Sequence, residues 1–248
     1  MDRAEFQTML AMDDRHWWYR GRRRIVRAVL DRAGLPRGAR ILDAGSGSGR
    51  TLDELAHYGG VAGIELNPLG VEAARERGHP DVQQAPGEQI PHPDASFDLV
   101  TCLDVIEHTP NDVTSLRELR RVTRPGGALL VTVPAYPRLW SQHDEVNRHY
   151  RRYTRRMLRR AAEAAGWRVE RMTGFNAAYL LPAAAVRLAR RGGQSGAAAD
   201  SGTSELSLTP AALDAVLELP LRVEAALIGR GLSLPAGLSL LALLRLAR

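Results

Sequence analysis

The chain has 248 residues, of which 44% are apolar, and a formal net charge of +6. That is enough for one large α/β domain with a packed core, and the single cysteine, Cys102, excludes an internal disulfide. All 34 basic residues are arginine, which excludes Schiff-base or catalytic-lysine chemistry and weakens any reading of arginine clusters as a nucleic-acid footprint.

The charged, tryptophan-containing start has no apolar leader core. No uncharged apolar run reaches bilayer length, so a cytoplasmic location is expected. "DDRHWWYRGRRRIV" (13–26) begins an amphipathic helix. Short apolar runs then alternate with helical stretches, the pattern of βαβ units and a parallel sheet. Ala39–Ala44 reads as a first strand and Ser48–Tyr58 as a helix. "VAGIEL" (61–66) is a second strand, followed by a helix that Asn67 caps with Pro68 in its first turn. "DVQQA" is a weak third strand, "FDLVTCLDV" (97–105) a fourth and "ALLVTV" (128–133) a fifth. Between the last two, Val113, Leu116, Leu119 and Val122 share a helical face, and "RPGG" stops that helix. Thr154 caps a helix to Ala165 with Gly166 just beyond it, and "WRVERMT" (167–173) is a strand. The Gly/Ala/Ser-rich stretch 190–205 is expected to be flexible. Helical pattern returns from Pro210 to about Gly229, and "LSLLALLRLA" (238–247) is a final strand.

"ILDAGSGSGRT" (41–51) ends an apolar run in an acid and alternating glycines. A phosphate-binding P-loop needs a first glycine and a lysine where this chain has Ala44 and Arg50. The dinucleotide fingerprint also fails, because Arg50 stands where a small residue must let helix and strand approach. Every position of D-x-G-x-G-x-G is met, and the stretch resembles the first motif of class I S-adenosylmethionine (SAM) dependent methyltransferases. Gly45, Gly47 and Gly49 let the backbone bend against a ligand, and Asp43 at the strand end faces the ligand's ammonium side. Glu65 ends the second strand, where its two acceptor oxygens suit a pair of ribose hydroxyls, with Leu66 beside it.

The resemblance extends through "GEQIPHPDASFDLVTCLDVIEHTPN" and "LRELRRVTRPGGALLVTVP" to the type 11/type 23 methyltransferases, which resemble ubiquinone- and menaquinone-biosynthesis enzymes. It covers residues 39–134. It implies a Rossmann-like, doubly wound, seven-stranded sheet, mostly parallel with an antiparallel last strand, and SAM as cofactor. It also implies Gly87 and Glu88 at the adenine and Leu103 and Asp104 along the cofactor. Pro86 departs from relatives that carry an acid there. One domain is expected: an N-terminal helical lid (1–38), a core (39–173), a helical insertion (174–237) and the last strand.

In the first segment, Trp18 or Tyr19 would cover the cofactor and Arg20 or Arg23 hold its carboxylate; the alternative is a hydrophobic staple onto the sheet. After the fifth strand, "WSQHDEVNRHYRRYT" (140–154) supplies His143 and His149 as candidate general bases near neutrality. Asp144 would orient one of them, and Arg151 and Arg152 would meet an anionic acceptor. His108 of "DVIEH" joins the candidates for catalysis. Asp104, Glu107 and His108, with a histidine from elsewhere, also make a donor set for a divalent cation. A structural or acceptor-lining role is expected instead, with no metal.

The expected activity is methyl transfer to an oxygen or nitrogen of a small molecule: a sugar, an amino-acid-derived metabolite or a lipid-linked precursor. RNA methylation is the alternative enzyme class, opposed by the lack of an RNA-binding signature. A catalytically inactive SAM-binding partner protein is the non-enzymatic alternative. "AAYLLPAAAVRLARR" (177–191) leaves a peripheral membrane contact open.

Overall fold

The computed structural model describes residues 7, 10–182, 185 and 210–247. Seven strands form one sheet: β1 (Ala39–Ala44), β2 (Gly59–Glu65), β3 (Val82–Gln84), β4 (Phe97–Leu103), β5 (Thr123–Pro134), β6 (Arg168–Phe175) and β7 (Ser239–Arg245). Their order is β3-β2-β1-β4-β5-β7-β6. β1 to β5 pair in parallel, and β7 lies antiparallel between β5 and β6. The expected α/β, Rossmann-like sheet with a reversed last strand is present.

The helices are α1 (Trp17–Leu30), α2 (Arg50–Leu55), α3 (Pro68–Glu76), α4 (Asp112–Val122), α5 (Gln142–Val146), α6 (Arg155–Ala164) and α7 (Ala211–Gly229). Two apolar clusters cover the two sheet faces. Leu129, Val131 and Val133 of β5 join Leu116, Leu119 and Val122 of α4 and Leu158 of α6 on one face. Ala128 and Leu130 join Ile25 and Val29 of α1, Leu52 of α2 and Leu221 and Ile228 of α7 on the other. Central strands buried on both faces need no polar alternation, which is why they read as continuous apolar runs. Each fully buried aliphatic side chain there contributes about 1.5–3 kcal/mol.

The ends of the elements follow local chemistry. The Asn67 side chain accepts from the Leu69 N–H at 3.0 Å and starts α3; Thr154 does the same for Met157 at 3.2 Å and starts α6. α2 is shorter than 48–58, because Gly49 precedes it in a left-handed conformation (φ 77°). β5 is longer than 128–133: Thr123 already pairs with Phe97, and the register shifts before Leu99 meets Ala128. Arg124–Gly127 therefore loop out within the strand as well as ending α4. The expected flexible stretch 190–205 lies outside the described residues. Among the described residues no helix is long and apolar enough to cross a membrane.

β2 and β3 lie to one side of β1, and β4 and the later strands to the other. Chain direction across the sheet thus reverses between β1 and β4, and a crevice opens outside their carboxyl ends. That crevice positions the site.

Candidate active site

A cavity of about 960 Å³ opens over the carboxyl ends of β1, β2 and β4. Its lining includes most of the residues singled out above: Tyr19, Asp43, Gly45, Gly47, Glu65, Leu66, Gly87, Glu88, Leu103, Asp104, His108, His143 and His149. Gly49 and Arg23 are not among them.

At one end the glycine loop and two acids are locked together. The backbone at Gly45 is left-handed (φ 85°), and a Cβ there would lie 2.4 Å from Val105 Cγ2. The Gly47 N–H donates to Glu65 Oε2 at 2.9 Å, and the Asn67 N–H to Glu65 Oε1 at 2.8 Å. Burial raises the Glu65 carboxyl above its ordinary range while these backbone donors pull it down. Asp43 is 2% exposed, and Thr101 Oγ1 donates to it at 2.6 Å. Burial outweighs that hydrogen bond and pushes the Asp43 carboxyl up to about 7. A buried acid at such a value gains most from a cationic neighbour, and the ammonium of the expected cofactor is one. Gly49 serves packing instead: a Cβ there would sit 2.9 Å from Ala74 Cβ on α3.

The lid residues need a correction. Arg23 is buried against Asp13, donating to its Oδ1 and its carbonyl, both at 2.8 Å. Asp13 also accepts from Ser48 of the glycine loop. Arg20 is 2.6 Å from Glu218 on α7. The arginine of α1 that lines the cavity is Arg22, which sequence reasoning passed over. Its guanidinium lies 5.1 Å from the Trp18 ring centroid and 5.5 Å from that of Tyr19, and it pairs with Asp104 at 2.7 Å. In the run "RGRRR" nothing local distinguishes Arg22 from Arg23; their acidic partners decide.

At the other end three histidines converge. His108 and His149 have ring centroids 4.6 Å apart, and His143 and His149 6.1 Å. Asp144 orients His149, with Oδ1 2.9 Å from Nδ1, and the same oxygen accepts from Arg152 Nε at 2.7 Å. Burial alone would raise the Asp144 carboxyl, but hydrogen bonds from His149 and Arg152 hold it well below the usual range. Burial, with the charge of His149, lowers His108 to about 4, so its imidazole is neutral at neutral pH. Arg152 lines the cavity, whereas Arg151 points to Asp112 at 3.2 Å and does not.

Glu107 is 1% exposed, and burial, reinforced by the Asp104 charge, holds its carboxyl well above the usual range. Its Oε2 has no hydrogen-bond partner among the described residues. One ligand atom each of Glu107, His108 and His149 lies within 4.8 Å of the others, a mixed oxygen and nitrogen set that suits a divalent cation. Sequence reasoning named Glu107 and His108 with an unspecified further histidine; the fold supplies His149, and Asp104 of the expected set is not in the group.

Comparison with known proteins follows the same outline. Residues 42–131 match the family model described as a methyltransferase domain. The ubiquinone biosynthesis O-methyltransferase of Paracidovorax citrulli is 37% identical over 101 residues, which are 36% of this chain and 41% of that protein. The enzyme of the same name from Aeromonas salmonicida is 32% identical over 177 residues, 61% of this chain and 72% of that one. The first match thus spans less than half of the relative's length. Among solved structures, a SAM-dependent methyltransferase from Aquifex aeolicus has a TM-score of 0.50 at 25% identity, covering 60% of this chain and 82% of that chain.

Proposed function

The chain belongs to the class I SAM-dependent methyltransferases of the type 11 kind, and we propose that it methylates a hydroxyl or amine of a small molecule. The observation that carries this reading is that a single cavity holds both the Asp43–Gly47–Glu65 arrangement and the histidine cluster. Relatives named as O-methyltransferases favour a hydroxyl acceptor.

SAM supplies an electrophilic methyl group when bound. The chain's own residues have distinct tasks around it. Asp43 faces the ammonium group, and Glu65 accepts from the ribose hydroxyls. Gly87 and Glu88 flank the adenine, with Leu66, Leu103 and Asp104 along the cofactor. Tyr19 and Trp18 exclude water, and Arg22 replaces Arg23 as the cation for the carboxylate. His149, held by Asp144, takes the acceptor's proton, and His108 and His143 shape the space beside it. Methyl transfer is an in-line displacement, so most of the rate comes from alignment of the acceptor.

A second reading of the same cluster is supported by the Glu107, His108 and His149 grouping. A divalent cation held there would bind the acceptor oxygen and lower its pKa, leaving no need for a general base. RNA methylation and a catalytically inactive role have no comparable support.

Isothermal titration with S-adenosylhomocysteine (SAH) and with NAD tests the cofactor. Heat with NAD and none with SAH would overturn the reading. Methyl-labelled SAM incubated with a metabolite extract, with and without chelator, then tests the acceptor and the cation.

A further inference from the structure

The far flank of the cavity is built by residues that the reading above does not use. Phe175, the last residue of β6, pairs with Ser239 of β7, which pairs with Pro134 at the end of β5. Asn176 therefore stands on the same rim, two strands beyond β5, or roughly 10 Å at ordinary strand spacing. It is 2% exposed and lines the cavity. Its backbone is left-handed, with φ at 60°.

Glu224 of α7 holds that conformation in place. Its Oε2 accepts from the Asn176 N–H at 2.7 Å, and its Oε1 from Ala177 at 2.8 Å and Ala178 at 3.4 Å. A buried carboxylate given over to three consecutive N–H groups fixes a turn that the sequence alone would not adopt. Strain maintained in this way tends to mark functional positions.

What the turn presents is the side-chain amide. Its Nδ2 reaches Ser239 Oγ at 3.5 Å, while Oδ1 has no partner among the described residues. A buried acceptor without a donor is costly, so this one is placed to take a donor from a molecule bound in the cavity. The same cavity has an aromatic and apolar wall. Trp17 and Tyr179 have ring centroids 4.8 Å apart, the Tyr179 hydroxyl is tied to the Leu217 carbonyl, and Leu238 lines the same cavity.

We infer that Asn176 is a specificity-determining residue for the acceptor, its Oδ1 accepting a hydrogen bond from a hydroxyl or N–H of that molecule. The group it reads is not the one methylated, which lies at the histidine cluster beyond β4. The acceptor class is thus a small molecule with an apolar body against Trp17 and Tyr179 and at least two separated heteroatom groups. The inference rests on the methyltransferase reading.

Asn176→Gly removes the amide and suits a left-handed backbone; Asn176→Asp keeps an acceptor oxygen at the same place. Each variant and the wild type receive methyl-labelled SAM and serial dilutions of a metabolite extract from the producing organism. The glycine variant should need about tenfold more extract for half-maximal labelling, with the same plateau. The aspartate variant should recover most of that loss. SAH titration heats and melting curves should match the wild type. Superimposed dilution curves overturn the inference, and so does a glycine variant that loses SAH binding or melts early, since its role is then structural. A wild type that gives no heat with SAH overturns the methyltransferase reading itself. One that binds SAH but labels nothing has no acceptor site, and the inference falls alone.

Discussion

Arg22 and Asp104, 82 residues apart in the chain, meet at 2.7 Å and tie helix α1 to the turn that follows β4. Asp104 holds a left-handed backbone (φ 58°) to make the contact, and both side chains are mostly buried. Each charge is therefore compensated chiefly by the other. Arg22→Ala should weaken SAH binding about tenfold or more and speed hydrogen exchange across residues 12–22. A double-mutant cycle with Asp104→Ala should return a coupling of about 0.5–3 kcal/mol. Additive effects would mean that the pair does not hold the lid.

The Asp43 carboxyl is raised to about 7 by burial, so cofactor binding beside it should be pH-dependent. In the free protein a raised acid favours the folded state when protonated, so its contribution to stability is lost as pH climbs from about 4 through 7. A ligand ammonium reverses the preference and favours the ionised form. SAH affinity should rise with pH up to about 7 and level off above it, with close to one proton released on binding at pH 6. Titrations in buffers of different ionisation enthalpy measure that proton, and Asp43→Asn should abolish it.

Glu65 serves the loop and the expected ribose together. Glu65→Ala should cost about 1.5–3 kcal/mol of SAH affinity, the range for a hydrogen bond to a charged group. Calorimetry reads it directly, and an unchanged affinity would move the ribose elsewhere. The N–H groups of Gly47 and Asn67 lose their acceptor as well, so a small drop in melting temperature should accompany the loss.

At the crossing of α1 and α7 there is no room for a methyl group. A Cβ on Gly21 would lie 2.1 Å from Leu221 Cδ1 and 2.8 Å from its Cβ, and Leu221 is fully buried. Gly21→Ala should therefore destabilise the fold by about 1–3 kcal/mol through overpacking, despite alanine's better helix propensity. A denaturant melt decides which effect wins.

His149 has an oriented tautomer because Asp144 holds its Nδ1. His149→Ala should lower turnover by about 10²–10⁴ with SAH affinity nearly intact, and His143→Ala should cost less. Chelator discriminates the two readings of the cluster. Activity lost with chelator and restored by added divalent cation assigns His149 as a ligand, while insensitivity assigns it as the base.

Local chemistry explains what could be read in advance. Ala39–Ala44 stands out because a strand buried on both faces must be apolar throughout, and Asn67–Pro68 because a cap and a first-turn proline act within three residues. The D-x-G-x-G-x-G loop is legible for the same reason. Arg22 was not, because its place depends on Asp104 drawing it one way and Asp13 holding Arg23 the other. Asn176 was still less visible: nothing in "GFNAAY" announces a left-handed turn whose anchor, Glu224, lies 48 residues on.

α7 has a hand on both flanks. Glu218 takes Arg20 and Arg24 of α1, and Glu224, about 9 Å further along the same helix, takes the Asn176 turn. If α7 carries displacement past Pro220, a shift of α1 at Glu218 would reach the Asn176 turn. Occupancy at the two ends then becomes reciprocal: whatever factor the cofactor adds to acceptor affinity, the acceptor must return to the cofactor.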